Sequence, residues 1–285
     1  GSRPAIPDLP GLEDGLYFTS DTIADLTELP GHLIVIGAGA TGLELAQAFA
    51  RLGSKVTVID THAPLGDEDP ELAAIVLRRL AREGLVLHPH TGVVAIRAAG
   101  NDIEVDVKAG AEEWTLSGTH LLVATGRVPD LDGLGLDAAR IRTSSMGIPV
   151  NRNLKTSNRK VHAIGEAIGG ARFRSAADHH GRLVARNALF GRPVRFDPTS
   201  VPRTTLTDPE IAHVGLTEPE ARLRLEQHYR VLRWPYAENG RARATEQTEG
   251  MVKLVVDRRG AILGASIAGP LASETIALFA FAIAN

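Results

Sequence analysis

The feature that most constrains the fold of this chain is the segment at residues 31–60, GHLIVIGAGATGLELAQAFARLGSKVTVID. A short apolar run precedes three glycines in the spacing G-x-G-x-x-G. An alanine-rich stretch then leads to Gly53 and to a second apolar run that ends in Asp60. This pattern predicts a buried strand, a turn, a helix that stops at the glycine, and a second strand. Such a unit indicates an α/β fold.

The three glycines have separate roles in a turn that binds phosphate. Gly37 permits the tight turn, Gly39 lets the backbone approach a pyrophosphate, and Gly42 lets the helix pack closely on the strand. The helix then begins near Ala40 and Thr41, where unpaired N–H groups and the positive end of the helix dipole face the phosphates. The alternative is a structural glycine turn in an unrelated α/β protein.

Asp60 favours the dinucleotide interpretation. It stands eighteen positions after Gly42, at the end of the second strand, where an acidic side chain binds the ribose hydroxyls of an adenosine. Its charge would repel a 2′-phosphate, and the following THAPLG contains no arginine or lysine to bind one. The sequence therefore predicts an NAD site, with NADP as the less favoured alternative.

Composition excludes several other classes of protein. The 285 residues are 44% hydrophobic and 23% charged, which is ordinary for a globular chain of two or more domains. A net charge of −3 gives no electrostatic footprint for nucleic acid or an anionic membrane. The run ALFAFAIA is too short to span a bilayer, and the N-terminal segment lacks a signal-peptide pattern, so we expect a cytoplasmic protein. Because cysteine is absent, disulfides and thiolate metal sites within this chain are excluded.

The rest of the chain predicts two further units. After Asp60, a helix is predicted with Asp69 as N-cap, Pro70 at its first position and Gly84 after its end, followed by three antiparallel strands and the buried strand HLLVATG. A second, smaller unit contains KVHAIGEAIGG and a helix from about Ser175 to Phe190. Beyond about residue 200 the pattern becomes α+β, with a capping box at Thr217 and Glu220 and a hairpin in GMVKLVVDRRGAILGASIAG.

Five ordered segments carry a resemblance that spans almost the whole chain: GAGATGLELAQAFARLG, LLVATGRVPD, VHAIGEAIGG, TDPEIAHVGLTEPEA and EGMVKLVVDRRGAILGASIAG. In this order and spacing they resemble the flavin-dependent pyridine nucleotide-disulfide oxidoreductases, and within them the dihydrolipoamide dehydrogenase and mercuric reductase branch. The resemblance implies a Rossmann-like NAD-binding domain at 30–127, inserted in a partial FAD-binding domain at 1–29 and 128–198. An α+β dimerisation domain would follow at 199–285.

The resemblance also implies roles for single residues of the dinucleotide domain. Glu44 matches a glutamate that lies beside the nicotinamide near the flavin, although a solvated charge in the first turn of the helix is the alternative. Ala40 stands where relatives often have a tyrosine that shields the flavin, so that gate is absent or replaced. Gly126 and Arg127 match the segment that links the two dinucleotide domains, where the backbone near Gly126 approaches cofactor. Arg127 could equally form a domain-linking salt bridge.

The second cofactor motif departs from the family pattern. Relatives have Gly-Asp where this chain has Gly165 and Glu166, and the aspartate accepts a hydrogen bond from the ribityl chain of FAD. Glutamate keeps the carboxylate but adds a methylene, so FAD binding would be shifted or altered. The nearby His179 and His180 diverge by about 100° on a helix and have no accompanying ligand cluster, so we interpret them as surface or interface histidines rather than metal ligands.

Two pieces of the family pattern are missing from the sequence, namely a first FAD segment with a redox-active cysteine pair and a last helix with a His-Pro and Glu pair. We therefore expect an internal portion of a longer enzyme that passes hydride from a nicotinamide to FAD and on to a disulfide or related acceptor. A non-catalytic dinucleotide-binding and dimerisation module is the alternative. A reductase of the ferredoxin-reductase type is a third, which TDPEIAHVGLTEPEA argues against.

The C-terminal segment SETIALFAFAIAN predicts a homodimer interface. A helix here puts Ile276, Phe279 and Ile283 on one stripe, with Leu278 and Phe281 on other faces. A helix with apolar side chains on several faces exposes some of them to water unless a second surface, beyond its own small domain, packs on it. A monomer in which the stripe packs only on the preceding hairpin is the alternative.

Overall fold

The computed structural model describes residues 1–13, 15–170, 174–191 and 196–285. The strands are β1 (Ser2–Pro4), β2 (Phe18–Thr19), β3 (His32–Ile36), β4 (Lys55–Ile59), β5 (Val86–His88), β6 (Gly92–Ala99), β7 (Asp102–Ala109), β8 (Glu112–Gly118), β9 (His120–Val123), β10 (Arg127–Pro129), β11 (Arg203–Thr205), β12 (Glu210–Gly215), β13 (Tyr229–Pro235), β14 (Met251–Asp257) and β15 (Ile262–Gly269). The helices are α1 (Ala40–Leu52), α2 (Pro70–Arg82), α3 (Arg174–Phe190), α4 (Glu218–Leu225), α5 (Gly240–Ala244) and α6 (Ala272–Ala284).

The dinucleotide domain is built on a parallel sheet in the order β2-β9-β3-β4-β5. Helices α1 and α2 cover one face of this sheet, and the antiparallel strands β6, β7 and β8 cover the other. The predicted βαβ unit and the three antiparallel strands are confirmed. Strand β2 comes from the segment before residue 30, which therefore contributes to this sheet.

Local sequence signals set the helix ends in this domain. Gly53 ends α1 in the left-handed conformation, with φ 112°. The Asp69 side chain accepts a hydrogen bond from the Glu71 N–H at the start of α2, and Pro70 occupies the first position, as predicted. These caps satisfy backbone groups that the helices themselves leave unpaired.

The middle part of the chain has little regular structure. Strand β1 pairs antiparallel with β10, and residues 130–170 enclose a small apolar cluster of Ile141, Ile148 and Ala163. A 3-10 turn at Gly165–Ile168 precedes α3, which ends at Phe190 as predicted. The predicted start of that helix near Ser175 lies one residue inside the observed α3.

The C-terminal domain is an antiparallel sheet in the order β11-β12-β15-β14-β13. The predicted hairpin of β14 and β15 and the capping box at Thr217 and Glu220 are confirmed. Helix α6 packs one stripe on the sheet, with Ile276, Phe279 and Ile283 in a single apolar cluster, again as predicted. Among the described residues, no helix is both long and apolar enough to cross a membrane.

The two larger domains share one apolar core. Ile211 of β12 and Ala268 of β15 are buried in the cluster that α1 and α2 form with the parallel sheet. The face of the C-terminal sheet opposite α6 therefore packs on the dinucleotide domain. This contact fixes how the C-terminal domain lies against the helix that follows the glycine turn.

Candidate dinucleotide-binding site

The glycine turn between β3 and α1 needs glycine at two of its three positions for reasons internal to the protein. Gly37 has φ 111°, and a Cβ there would lie 2.4 Å from the Ala124 carbonyl oxygen. A Cβ on Gly42 would lie 2.0 Å from the Gly37 carbonyl oxygen, and Ala46 one turn later is fully buried. These contacts hold the start of α1 close to the sheet.

Gly39 is different, because no contact among the residues that the structure describes requires a glycine there. Its backbone is extended, with φ −74° and ψ −177°, which any residue adopts. A Cβ at this position would meet no atom of the described residues within 4 Å. The open space lies at the N-terminus of α1, which no side chain caps. The turn thus offers uncapped N–H groups and room for a ligand to reach them.

The Asp60 carboxylate stands beside the same turn. Its Oδ2 accepts a hydrogen bond from the Ala38 N–H at 2.7 Å, and its Oδ1 accepts one from the His62 N–H at 2.7 Å. The carboxylate retains further lone pairs, since each oxygen accepts more than one hydrogen bond. The side chain is 20% exposed, so hydroxyl groups of a ligand can reach it.

Glu44 lies on α1 where it meets the C-terminal domain. Its Oε1 accepts a hydrogen bond from the Leu206 N–H at 2.7 Å. Burial raises the pKa of Glu44, and the Leu206 hydrogen bond offsets part of that effect. The carboxylate is half-buried and bonded to another domain, so it is not simply a solvated charge in the first turn of a helix.

Gln47, one turn further along α1, was not found by the sequence reasoning. It is 4% exposed and bonds the Asp208 backbone twice, donating from Nε2 to the carbonyl at 2.9 Å and accepting at Oε1 from the N–H at 2.7 Å. Nε2 also donates to Glu83 at 3.0 Å. A glutamine on an apolar helix gives no sequence signal for this role, because its partner is 161 positions away.

A second cluster lies around Glu166. The Ser2 hydroxyl donates a hydrogen bond to the Glu166 carboxylate, and Arg127 Nε lies 4.0 Å from it. These residues line a small, partly open cleft of about 40 Å³ together with Val128, Pro129, Ser145, Met146 and Gly169. The Glu166 side chain is 25% exposed, so a hydroxyl group at the edge of this cleft can reach its carboxylate.

Arg127 is a salt-bridge residue in this structure. Its guanidinium pairs with Asp21 at 2.7 Å and donates to the Ser2 carbonyl at 2.8 Å. The hydrogen bond and charge of Asp21 raise the pKa of Arg127. The adjoining Gly126 is exposed with φ 109°, and its carbonyl accepts from the Ala5 N–H at 2.9 Å.

The interpretation of His180 as a surface or interface histidine is wrong. Its side chain is 1% exposed, and Nδ1 accepts a hydrogen bond from the Gly165 N–H at 3.1 Å. The ring also meets the edge of Phe196, with centroids 4.3 Å apart. Gly165 adopts φ 64° against Ala177, so the turn before Glu166 packs directly on α3. Sequence spacing indicated that the two histidines diverge, but not that one of them points inward.

The neighbouring His179 is half-buried, and burial lowers its pKa. In the part of the chain that the structure describes, no three His, Cys, Asp or Glu side chains come together as a metal site would require.

The geometry can be compared with known proteins. Residues 1–181 match the family model described as pyridine nucleotide-disulphide oxidoreductase, and residues 201–285 match the dimerisation domain of the same family. The chain belongs to the pyridine nucleotide-disulphide oxidoreductases. These matches confirm the predicted resemblance and the predicted α/β fold class. The family depends on FAD and NAD(P).

Individual members of the family agree with this assignment. The chain is 36% identical to a mercuric reductase of Streptomyces lividans over 99% of this chain and 60% of the relative. It is 35% identical to a dihydrolipoyl dehydrogenase of Bacillus subtilis over 97% of this chain and 60% of the relative. The chain thus spans about 60% of the length of these curated relatives and is a partial-length member of the family.

Solved structures of the family superpose on the whole chain. LpdA from Mycobacterium tuberculosis gives a TM-score of 0.91 at 30% identity, covering 100% of this chain and 62% of the other. The HOCl-induced flavoprotein disulfide reductase RclA from Escherichia coli gives 0.87 at 28% identity, covering 99% and 65%.

Proposed function

We propose that this chain is the dinucleotide-binding and dimer-forming portion of an FAD-dependent NAD(P)H oxidoreductase that acts on a disulfide or related acceptor. The observation that carries the proposal is the open space at Gly39, beside an uncapped helix N-terminus and an accessible Asp60 carboxylate. The bound cofactors would supply the hydride and electron transfer. The chain's own residues would bind, orient and shield them.

In this proposal the dinucleotide lies across the glycine turn. Its pyrophosphate takes the N–H groups around Gly39, Ala40 and Thr41, and its adenosine ribose donates hydroxyl protons to Asp60. The carboxylate at this position favours NAD over NADP, because a 2′-phosphate would meet a second negative charge. Glu44 then stands on the nicotinamide side, held by the C-terminal domain through the Leu206 N–H.

In the same proposal, the Glu166 carboxylate belongs to the flavin side. A partly exposed carboxylate beside Arg127 suits the ribityl hydroxyls of FAD. The Ser2 hydroxyl already donates a hydrogen bond to this carboxylate, which has further lone pairs for a ligand hydroxyl. The chain contains no cysteine, so a thiol pair that reduces a disulfide would come from outside these residues.

The C-terminal domain is proposed to form a homodimer, because residues 201–285 match a dimerisation domain. Leu278 and Phe281 are 70% and 72% exposed on the outer side of α6. Exposed apolar side chains next to an already packed stripe suit contact with a second copy.

A pair of glycine substitutions tests the dinucleotide site. Gly39→Ala adds a methyl group only where the ligand would lie, so we expect unchanged thermal stability and an NADH dissociation constant at least tenfold higher by calorimetry. Gly42→Ala is the matched control, because its methyl group collides with the Gly37 carbonyl and lowers stability directly. Unchanged NADH affinity in a folded Gly39→Ala variant would refute the proposed function.

A further inference from the structure

The stretch between β4 and α2 has no helix or strand of its own. This ribose segment, residues 60–69, begins with the Asp60 carboxylate and ends with the Asp69 cap of α2. Within it Leu65 adopts φ 54°, a conformation that a leucine rarely takes. A residue in such a sparsely populated conformation persists only where the surrounding structure fixes it.

The first half of the ribose segment is hydrogen-bonded to the glycine turn. The Leu65 N–H donates to the Ala38 carbonyl at 3.0 Å, and the Ala38 N–H donates back to Asp60 at 2.7 Å. Leu65 itself is 4% exposed, packed in the core of the dinucleotide domain. These bonds join the ribose segment to the turn that would bind the pyrophosphate.

The second end is held by the C-terminal domain, across the domain boundary. Arg203 Nη2, on β11, donates to the Asp67 carbonyl at 2.8 Å, and its Nε lies 3.5 Å from the Glu68 carboxylate. The Glu68 side chain is only 7% exposed, so its charge has little contact with water. The next residue, Asp69, binds the buried Lys253 ammonium at 2.8 Å. The guanidinium thus contacts the backbone of the segment through a hydrogen bond and one of its side chains through an ion pair.

We infer that Arg203 is a positioning residue for the adenosine-ribose half of the dinucleotide, holding the ribose segment against the glycine turn from the C-terminal domain. The inference rests on the proposed function and deepens it. When Arg203 is removed, the ribose segment gains conformational freedom that ligand binding must then take away. This entropic cost weakens the binding of ligands that contact Asp60. It leaves unchanged the binding of ligands that contact only the nicotinamide side.

The experiment compares three ligands on the full chain by calorimetry and NMR titration: NADH, ADP-ribose, which keeps the adenosine ribose, and reduced nicotinamide mononucleotide, which lacks it. For Arg203→Met we expect at least tenfold weaker binding of ADP-ribose and NADH and unchanged binding of the mononucleotide. Arg203→Lys keeps the cation near Glu68, so it should recover most of the ADP-ribose affinity. Arg230→Met is the matched control, an exposed arginine of the far edge strand β13, and should behave as wild type.

Two results would overturn the inference. The first is that Arg203→Met and Arg230→Met bind ADP-ribose with equal affinity. The second is that Arg203→Met loses affinity for all three ligands to the same extent, which indicates general disruption of the fold. If Arg203→Met does not fold, Glu68→Gln is the substitute, because it removes only the carboxylate charge that Arg203 contacts. It should weaken the binding of ADP-ribose about threefold at an unchanged melting temperature. An unchanged affinity there also overturns the inference. A wild-type chain that binds neither NADH nor ADP-ribose would remove the proposed function itself, and the inference with it.

Discussion

The Lys253 ammonium lies 2.8 Å from Asp69 Oδ2, although the two residues are 184 positions apart and belong to different domains. Both side chains are almost fully buried, at 3% and 1% exposure. Glu218 at 2.7 Å and Glu71 at 3.2 Å complete the shell around the ammonium, and Arg233 binds the same two glutamates from outside. Burial alone would lower the pKa of Lys253, but hydrogen bonds to Asp69 and Glu218 raise it overall. The cluster therefore joins the two domains through a buried ammonium that keeps its charge.

Lys253→Met should be strongly destabilising. It leaves Asp69 buried without its cation, and breaking a buried ion pair from one side typically costs about 3–5 kcal/mol. Asp69→Asn keeps the helix cap, so the double variant should cost less than the sum of the two single variants. Urea unfolding followed by circular dichroism measures these free energies. Lys108→Met, in the exposed pair with Glu113, is the control and should cost under about 1 kcal/mol. Additive single effects would contradict the direct coupling.

His213 should make the stability of the chain depend on pH. It is buried on the sheet face opposite α6, with Ser266 Oγ 2.7 Å from Nδ1 and the Gly215 carbonyl 3.0 Å from Nε2. Burial, reinforced by the charge of Arg203, lowers its pKa from 6.5 to about 4. Between these two values the unfolded chain binds a proton that the folded chain does not, so stability is complete above pH 6.5 and is lost as pH falls.

The loss from His213 amounts to about 3 kcal/mol by pH 4. Because His213→Gln removes the titrating group, its unfolding free energy should fall less steeply between pH 6.5 and 4 than that of wild type. Urea unfolding at several pH values measures both slopes. His228→Gln, at an exposed position of the same domain, should keep the wild-type slope. Identical slopes in wild type and His213→Gln would exclude a buried neutral His213.

NADH should bind at least tenfold more tightly than NADPH. Asp60→Asn combined with His62→Arg removes the carboxylate charge and supplies a cation beside the ribose, so the preference should narrow or reverse. The asparagine keeps an oxygen that can accept the Ala38 N–H. His62→Arg alone is the control and should retain the NADH preference. Calorimetric titration with both cofactors decides this, and tighter NADPH binding by wild type would contradict the assigned role of Asp60.

Phe281→Asp should convert a dimer to a 30.3 kDa monomer without unfolding it, because Phe281 is 72% exposed on α6. Phe279→Asp should instead destabilise the domain, since Phe279 packs on the apolar cluster beneath the helix. Leu223→Asp, 85% exposed on α4, is the control for added charge and should remain dimeric. Sedimentation velocity over a range of concentrations measures the states. A wild-type chain that is monomeric throughout would contradict the dimer.

Much of this molecule follows from local sequence. The glycine turn, the Asp69 cap, the capping box at Thr217 and the stop at Gly53 were all predicted and observed, because each depends on residues within one turn of each other. The stripe on α6 was predicted for the same reason, since helical periodicity alone fixes which side chains share a face. Family motifs, which are also ordered along the chain, predicted the domain class.

His180 is where local reasoning failed. The sequence contains the pair of histidines and their helix, but whether a helical residue points inward depends on what packs against that helix. The acceptor role of its Nδ1 depends on Gly165, fifteen positions earlier and on another element. No spacing within α3 could have indicated this partner.

The sequence by itself determined the elements, their caps and the backbone conformation of the glycine turn, because backbone conformation and hydrophobic periodicity act over short distances along the chain. Only the tertiary structure decided which polar and charged side chains are desolvated and which partners they contact. Lys253, Arg203 and Gln47 look like ordinary polar residues of a strand or a helix in the sequence, and each acquires its partner when the C-terminal sheet packs on the dinucleotide domain. Desolvation, which makes those contacts specific, is a property of packed domains and not of any segment of the chain.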